Sequence, residues 1–186
     1  MKTRAKKILL VVLIPLCGFL GLCALGVFYS LNYSHRHCIK QIGLYFPIYS
    51  GEHFGQLPFS TNGFGDALLI LLKEDSTLIN SICGPDDDGH IFKEALINNS
   101  IVPEEKCSRV YIQGLSDSND PQICILFDRN SCKGGDHGRS PWGHPLREAW
   151  LLGGGMEEIH DEDWPEFSRK QVEILFAAGL CRPNGL

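Results

Sequence analysis

Ile8–Tyr29, ILLVVLIPLCGFLGLCALGVFY, and Cys38–Phe59, CIKQIGLYFPIYSGEHFGQLPF, decide how the chain is read. The first stretch holds 22 residues with no Asp, Glu, Lys, Arg or His. At a rise of ~1.5 Å per residue, one helix of that length covers the ~30 Å hydrocarbon core of a bilayer. The second stretch opens amphipathic, with Ile39, Ile42 and Phe46 at helical spacing, and runs into a loop marked by Pro47 and Pro58. Together they predict an apolar helix that leaves a membrane and enters a small globular head.

Charge supports that orientation. Lys2, Arg4, Lys6 and Lys7 precede the apolar run, and the rest of the chain has a net charge of about −9. The basic flank puts the N-terminus in the cytoplasm. The expected division is a cytoplasmic stub over 1–7, a transmembrane signal anchor over 8–30 and an extracytoplasmic domain over 31–186. The run ends Val27-Phe28-Tyr29-Ser30-Leu31, without an Ala-x-Ala exit, so an uncleaved anchor is preferred to a cleaved signal. The lipid bilayer is then a partner through residues 8–30. The acidic head lacks the basic face that nucleic-acid binding needs.

The remaining 156 or so residues suffice for one domain with a core. Residues 31–46 continue as helix, with Pro47 expected to stop it. Phe64–Glu74 reads as a helix with Asn62 or Thr61 as its cap. Leu78–Cys83 reads as a short strand and Ile91–Ile97 as a brief helix. Arg109–Leu115 is a strand. Gln122–Asp128 carries ICILF, apolar on both faces, and is expected at the sheet centre. Ala149–Ile159 is a hairpin turning at Gly153-Gly154-Gly155, and Pro165–Gly179 an amphipathic helix. The fold class expected is α+β: an N-terminal transmembrane helix, then a head with an antiparallel sheet and a C-terminal helix.

Eight cysteines are present. Cys17 and Cys23 lie in the apolar run. Cys38, Cys83, Cys107, Cys124, Cys132 and Cys181 lie in the head, where an even count in an exported domain suggests disulfides. The pairing expected is Cys83 with Cys107, closing one excursion of the chain. No CxxC occurs, so neither a thiol exchanger nor a zinc ribbon is supported.

Several short motifs, in order, carry a resemblance. Cys38-Ile39-Lys40-Gln41-Ile42-Gly43-Leu44 follows the apolar run. Tyr49, Gly51, Gly55 and Leu57-Pro58 come next, then Cys83-Gly84-Pro85-Asp86 and Val110-Tyr111-Ile112. His144 is followed after nine residues by Gly154-Gly155. In this order the chain resembles bacterial type IV pilin-like and type II secretion pseudopilin-like proteins, the group with a C-terminal His-x9-Asp-Gly signature. The signature residues carried over are Cys38, Gln41, Gly43, Pro58, Cys83, Pro85, His144, Gly154 and Gly155, with Gly154 where the family has Asp. No Glu precedes Glu52 and no prepilin-peptidase junction is present. The resemblance implies a pilin-like head at the bacterial inner membrane, single-pass, rather than a fibre-forming pilin.

Residues with chemistry in them have simpler readings. Asp86-Asp87-Asp88 and the Asp117, Asn119, Asp120 group offer oxygen ligands but not the alternation of a calcium loop. Asp136, His137 and His144 sit in one Gly-rich loop near Asp128, without a nucleophile motif beside them. No cofactor and no metal is expected. The function expected is non-enzymatic, through contact with an unknown protein partner, as an accessory of a secretion or pilus-like apparatus. The alternative is a membrane-anchored metal-dependent hydrolase with its site in the 128–144 loop.

Overall fold

The computed structural model describes residues 18–27, 38–84, 89–131 and 145–180. The head is α+β, with a four-stranded antiparallel sheet in the order β1-β2-β3-β4. Its strands are β1 (Arg109–Tyr111), β2 (Cys124–Asp128), β3 (Leu146–Leu151) and β4 (Met156–His160). Six helices are present among the described residues. They are α1 (18–27), α2 (Cys38–Glu52), α3 (Phe64–Glu74), α4 (Ile79–Ile82), α5 (Gly89–Asn98) and α6 (Trp164–Ala177).

The transmembrane expectation is corrected here. Among the described residues no helix is long and apolar enough to cross a membrane. The described part of the apolar run, 18–27, reaches about 15 Å at ~1.5 Å per residue, half of what a bilayer core needs.

Cys124–Asp128 is buried at every position, because β2 has a strand on each side and helices over both faces. Register then sorts the side chains. Tyr111, Leu126 and Trp150 stand opposite one another, as do Val110, Phe127 and Ala149. Partners opposite each other share a face, and alternate residues change face. The Tyr111–Trp150 face receives α2. Its stripe Ile39, Ile42, Phe46 and Tyr49 is buried, and the Phe46 ring stacks on Tyr111 at 5.4 Å between centroids. The Phe127 face receives α6, whose Trp164 lies 5.3 Å from the Phe127 ring.

Helix α6 is also bonded into the sheet. A bulge interrupts the β2–β3 ladder between Cys124 and Leu126. Buried Gln171 works beside it: its Oε1 accepts the Cys124 N–H at 2.8 Å and its Nε2 donates to Gln122 O at 3.0 Å.

Three local readings change. Pro47 lies inside α2, which continues to Glu52. An interior proline costs ~3 kcal/mol, but Phe46 and Tyr49 on either side of it are buried, and that packing holds the helix together. In Leu78–Cys83, residues 78–82 are helical and only Cys83 is extended. Asp75 Oδ1 accepts both the Thr77 N–H at 2.9 Å and its hydroxyl at 2.6 Å, which starts a 3-10 turn leading into α4. Leu78 and Ile82, four apart, then share a buried face. The cap of α3 is neither Asn62 nor Thr61. Glu104, forty residues on, accepts the Phe64 N–H at 2.6 Å.

The hairpin turn uses its glycines unequally. Gly154 has φ +88°, a Cβ at Gly153 would run into Pro121, and a Cβ at Gly155 would only touch Leu151 Cδ1, at 3.8 Å.

Candidate functional site

Of the residues that carry the resemblance, Gln41, Gly43, Pro58 and Cys83 are joints of the fold. Gln41 Oε1 accepts the Ser81 hydroxyl at 2.6 Å and ties α2 to α4. A side chain at Gly43 would fall inside the Trp150 indole, so glycine is what lets α2 lie on β3. Pro58 O accepts the Tyr111 hydroxyl at 2.9 Å. Cys83 closes α4 and its thiol donates to Ile79 O at 2.8 Å. Cys107 is buried, with its thiol 3.5 Å from Pro103 O. One residue beyond each cysteine the two segments touch, the Gly84 N–H donating to Ser108 Oγ at 2.6 Å. Pro85 and His144 lie outside the described residues, as do Asp86, Asp87, Asp88, Asp136, His137 and the side chain of Cys38.

The second acidic turn is built from its own hydrogen bonds. Asn119 Oδ1 accepts the Ser116 N–H at 2.7 Å, and Asp120 Oδ1 accepts the Gln122 N–H at 2.8 Å. Among the described residues no three His, Cys, Asp or Glu side chains are placed to share a metal ion.

The structure assembles a charged row that no motif announces. Arg109 stands opposite Asp128, and the next strand brings Glu148 beside Asp128. All three are buried, on the face that carries Tyr111 and Trp150. Arg109 Nε donates to Asp128 Oδ1 at 3.2 Å, and Nη1 donates to Ser81 O. Asp128 Oδ2 accepts the Glu148 N–H at 3.0 Å. Arg109 Nη2 meets no acceptor among the described residues. Asp128 is thus turned into the core, away from solvent. The pair joins β1, β2 and α4 at one end of the sheet.

A second cluster ends α2 and α3. His53 Nδ1 lies 2.8 Å from Tyr49 O and Nε2 lies 3.3 Å from Glu74 Oε1, with the imidazole stacked on Tyr49 at 3.8 Å. Burial raises the Tyr45 and Tyr49 hydroxyls above their ordinary pKa, and the Glu74 carboxylate adds to it. Both phenols stay neutral, which suits ring packing rather than proton transfer.

The surface shows one conformational anomaly. Three helices finish in the same Schellman-type turn, where the N–H after a left-handed residue reaches back to the carbonyl five before it. In α6 that residue is Gly179 (φ +73°), and Leu180 N donates to Leu175 O at 2.9 Å. In α5 it is Asn99 (φ +49°), and Ser100 N donates to Ala95 O at 3.1 Å. In α2 it is Phe54 (φ +55°), and Gly55 N donates to Ser50 O at 2.7 Å. Glycine and asparagine suit that slot; phenylalanine does not. The Phe54 side chain is also 99% exposed. Leu44 and Ile48 on the outer face of α2, and Phe59 beyond the turn, are more than half exposed. The only sequence sign of this feature was a bulky residue placed just before Gly55.

No family model, no curated protein and no solved structure matches this chain.

Proposed function

We propose that the chain is a non-enzymatic contact protein: a pilin-like head that acts by protein–protein association, as an accessory of a secretion or pilus-like assembly. The pilin-like part of this reading rests on the ordered motifs alone. The contact reading rests on Phe54. A residue that pays of order 1 kcal/mol for a left-handed backbone and buries none of its ring gains nothing within its own chain. A partner that covers the ring supplies the missing stabilisation, as aromatic anchors do at interfaces. The buried ionisable groups of the sheet support the same view, since Arg109 and Asp128 are engaged with each other.

A photo-crosslinking side chain placed at Phe54, in the protein as it is expressed in its own cells, tests this. The same group at Lys170, exposed on α6, is the control. A discrete heavier adduct from position 54 and none from position 170 is expected. Equal yields from both positions would refute the contact surface.

A further inference from the structure

The sheet has a second edge, and its hydrogen-bond phase can be read from its ends. Leu151 N donates to Gly155 O at 2.8 Å, and Asp161 N donates to Pro145 O at 3.2 Å. With the register Arg147↔Ile159 and Ala149↔Glu157, the odd-numbered residues of β4 point their backbone groups at β3. Met156 and Glu158 therefore point their N–H and C=O groups away from the sheet. No backbone partner meets these two among the described residues.

The flank of this edge is strongly acidic. Between 157 and 166 stand Glu157, Glu158, Asp161, Glu162, Asp163 and Glu166, with no Lys or Arg. Asp161 is engaged by Ser131 and Arg147. The others are exposed. Between β4 and the start of α6 runs a shallow groove of about 300 Å³, lined by Glu158, Ile159, Asp163, Glu166 and Phe167. Ile159 and Phe167 give it apolar surface, and Asp163 and Glu166 bring carboxylates to it.

We infer that β4 is an acceptor edge for an extended, lysine- or arginine-rich segment of a partner protein, which adds as a fifth strand. Main-chain pairing to Met156 and Glu158 supplies the attachment, and side chains supply the choice. The aliphatic stems of lysine or arginine run along Ile159 and Phe167 while the cationic heads meet Asp163 and Glu166, and Glu158 offers a further carboxylate on the opposite face of the same edge. A second copy of β4 is disfavoured as occupant, because like charges would stand opposite each other. The inference names partner chemistry for the contact function, but it uses a surface other than Phe54.

The experiment takes the full chain, a short peptide alternating lysine with valine, and residue-resolved backbone amide exchange. At saturation the Met156 and Glu158 amides are expected to slow by about tenfold or more. The Glu157 and Ile159 amides, already paired with β3, stay as they were. A peptide alternating glutamate with valine causes no slowing. Replacing Glu157→Lys and Glu158→Lys together, both exposed and away from the core, weakens binding by about tenfold, equivalent to ~1.4 kcal/mol. Unchanged exchange at Met156 and Glu158 under bound peptide overturns strand addition. So does full binding of a lysine–valine peptide N-methylated at every amide, which can pair through neither edge. Equal binding of the glutamate peptide overturns the charge selection. Since no arm involves position 54, failure here and failure of the crosslink are separate results.

Discussion

Removing the guanidinium from the buried row is the most informative perturbation. Arg109→Met keeps a long apolar stem but takes the Arg109 guanidinium away from the buried Asp128 carboxylate. Breaking a buried pair from one side costs about 3–5 kcal/mol. Ser81 O also loses the donor Nη1, worth about 1 kcal/mol. The sum, about 4–6 kcal/mol, approaches the whole stability of an ordinary domain, about 5–15 kcal/mol. Urea unfolding followed by circular dichroism should show the midpoint falling with an unchanged slope. The companion is Arg109→Met with Asp128→Asn. The asparagine oxygen still accepts the Glu148 N–H, and the buried negative charge is gone. The double variant should regain at least about 2 kcal/mol over Arg109→Met, a non-additivity diagnostic of direct coupling. A single-variant loss below about 1 kcal/mol, or strictly additive losses, would refute the claim that this row holds the end of the sheet together.

Three further outcomes are expected. Gly43→Ala pushes a methyl into the Trp150 ring, which is 2% exposed and cannot swing away; overpacking costs about 1–3 kcal/mol, read as a lowered thermal midpoint and a changed Trp fluorescence spectrum. Phe54→Gly relieves the left-handed strain and should raise the thermal midpoint by about 2–4 °C, while any activity that depends on partner contact falls; a lowered midpoint would show that Phe54 is needed by its own fold. Burial holds the Tyr111 hydroxyl well above the ordinary tyrosine pKa, and the nearby Tyr49 adds to it. Its contribution is therefore fully present below the unfolded tyrosine pKa of about 10 and is lost as pH rises through the higher folded value. Alkaline titration should show unfolding by circular dichroism together with a late, cooperative rise in phenolate absorbance, and Tyr111→Phe should remove part of that alkaline loss.

What could be read from residues alone was set by local chemistry. Gln122–Asp128 is apolar on both faces, and a run like that needs a strand on each side. Gly153–Gly155 between two short apolar segments is a turn in any fold. Phe64–Glu74 has leucines at 68, 69 and 72, and helical spacing is a local signal. The failures share a cause at the opposite range. Glu104 caps α3 across forty residues, so no cap beside Phe64 was needed. Asp75 starts a helical turn with one side chain, and the apolar residues after it, Leu78 and Ile82, fit either period. The apolar length of 8–30 predicts a membrane span, but among the described residues no helix is long and apolar enough to be one. The Arg109–Asp128–Glu148 row was hidden because strand register, not sequence distance, places its members together. Phe54 was hidden because a positive φ has no compositional mark unless the residue is glycine or asparagine.

Gln171 gives the molecule an unusual mechanical property. Its amide completes β2 beside the bulge, so part of the hydrogen bonding of a strand is supplied by a helix of the other layer. Helix α6 therefore cannot lift off without uncovering the Cys124 amide and the Gln122 carbonyl. Most peripheral helices detach in small, independent openings that cost little. This one is keyed to the central strand, and the two should open together, as one cooperative unit whose slowest amides lie on both layers.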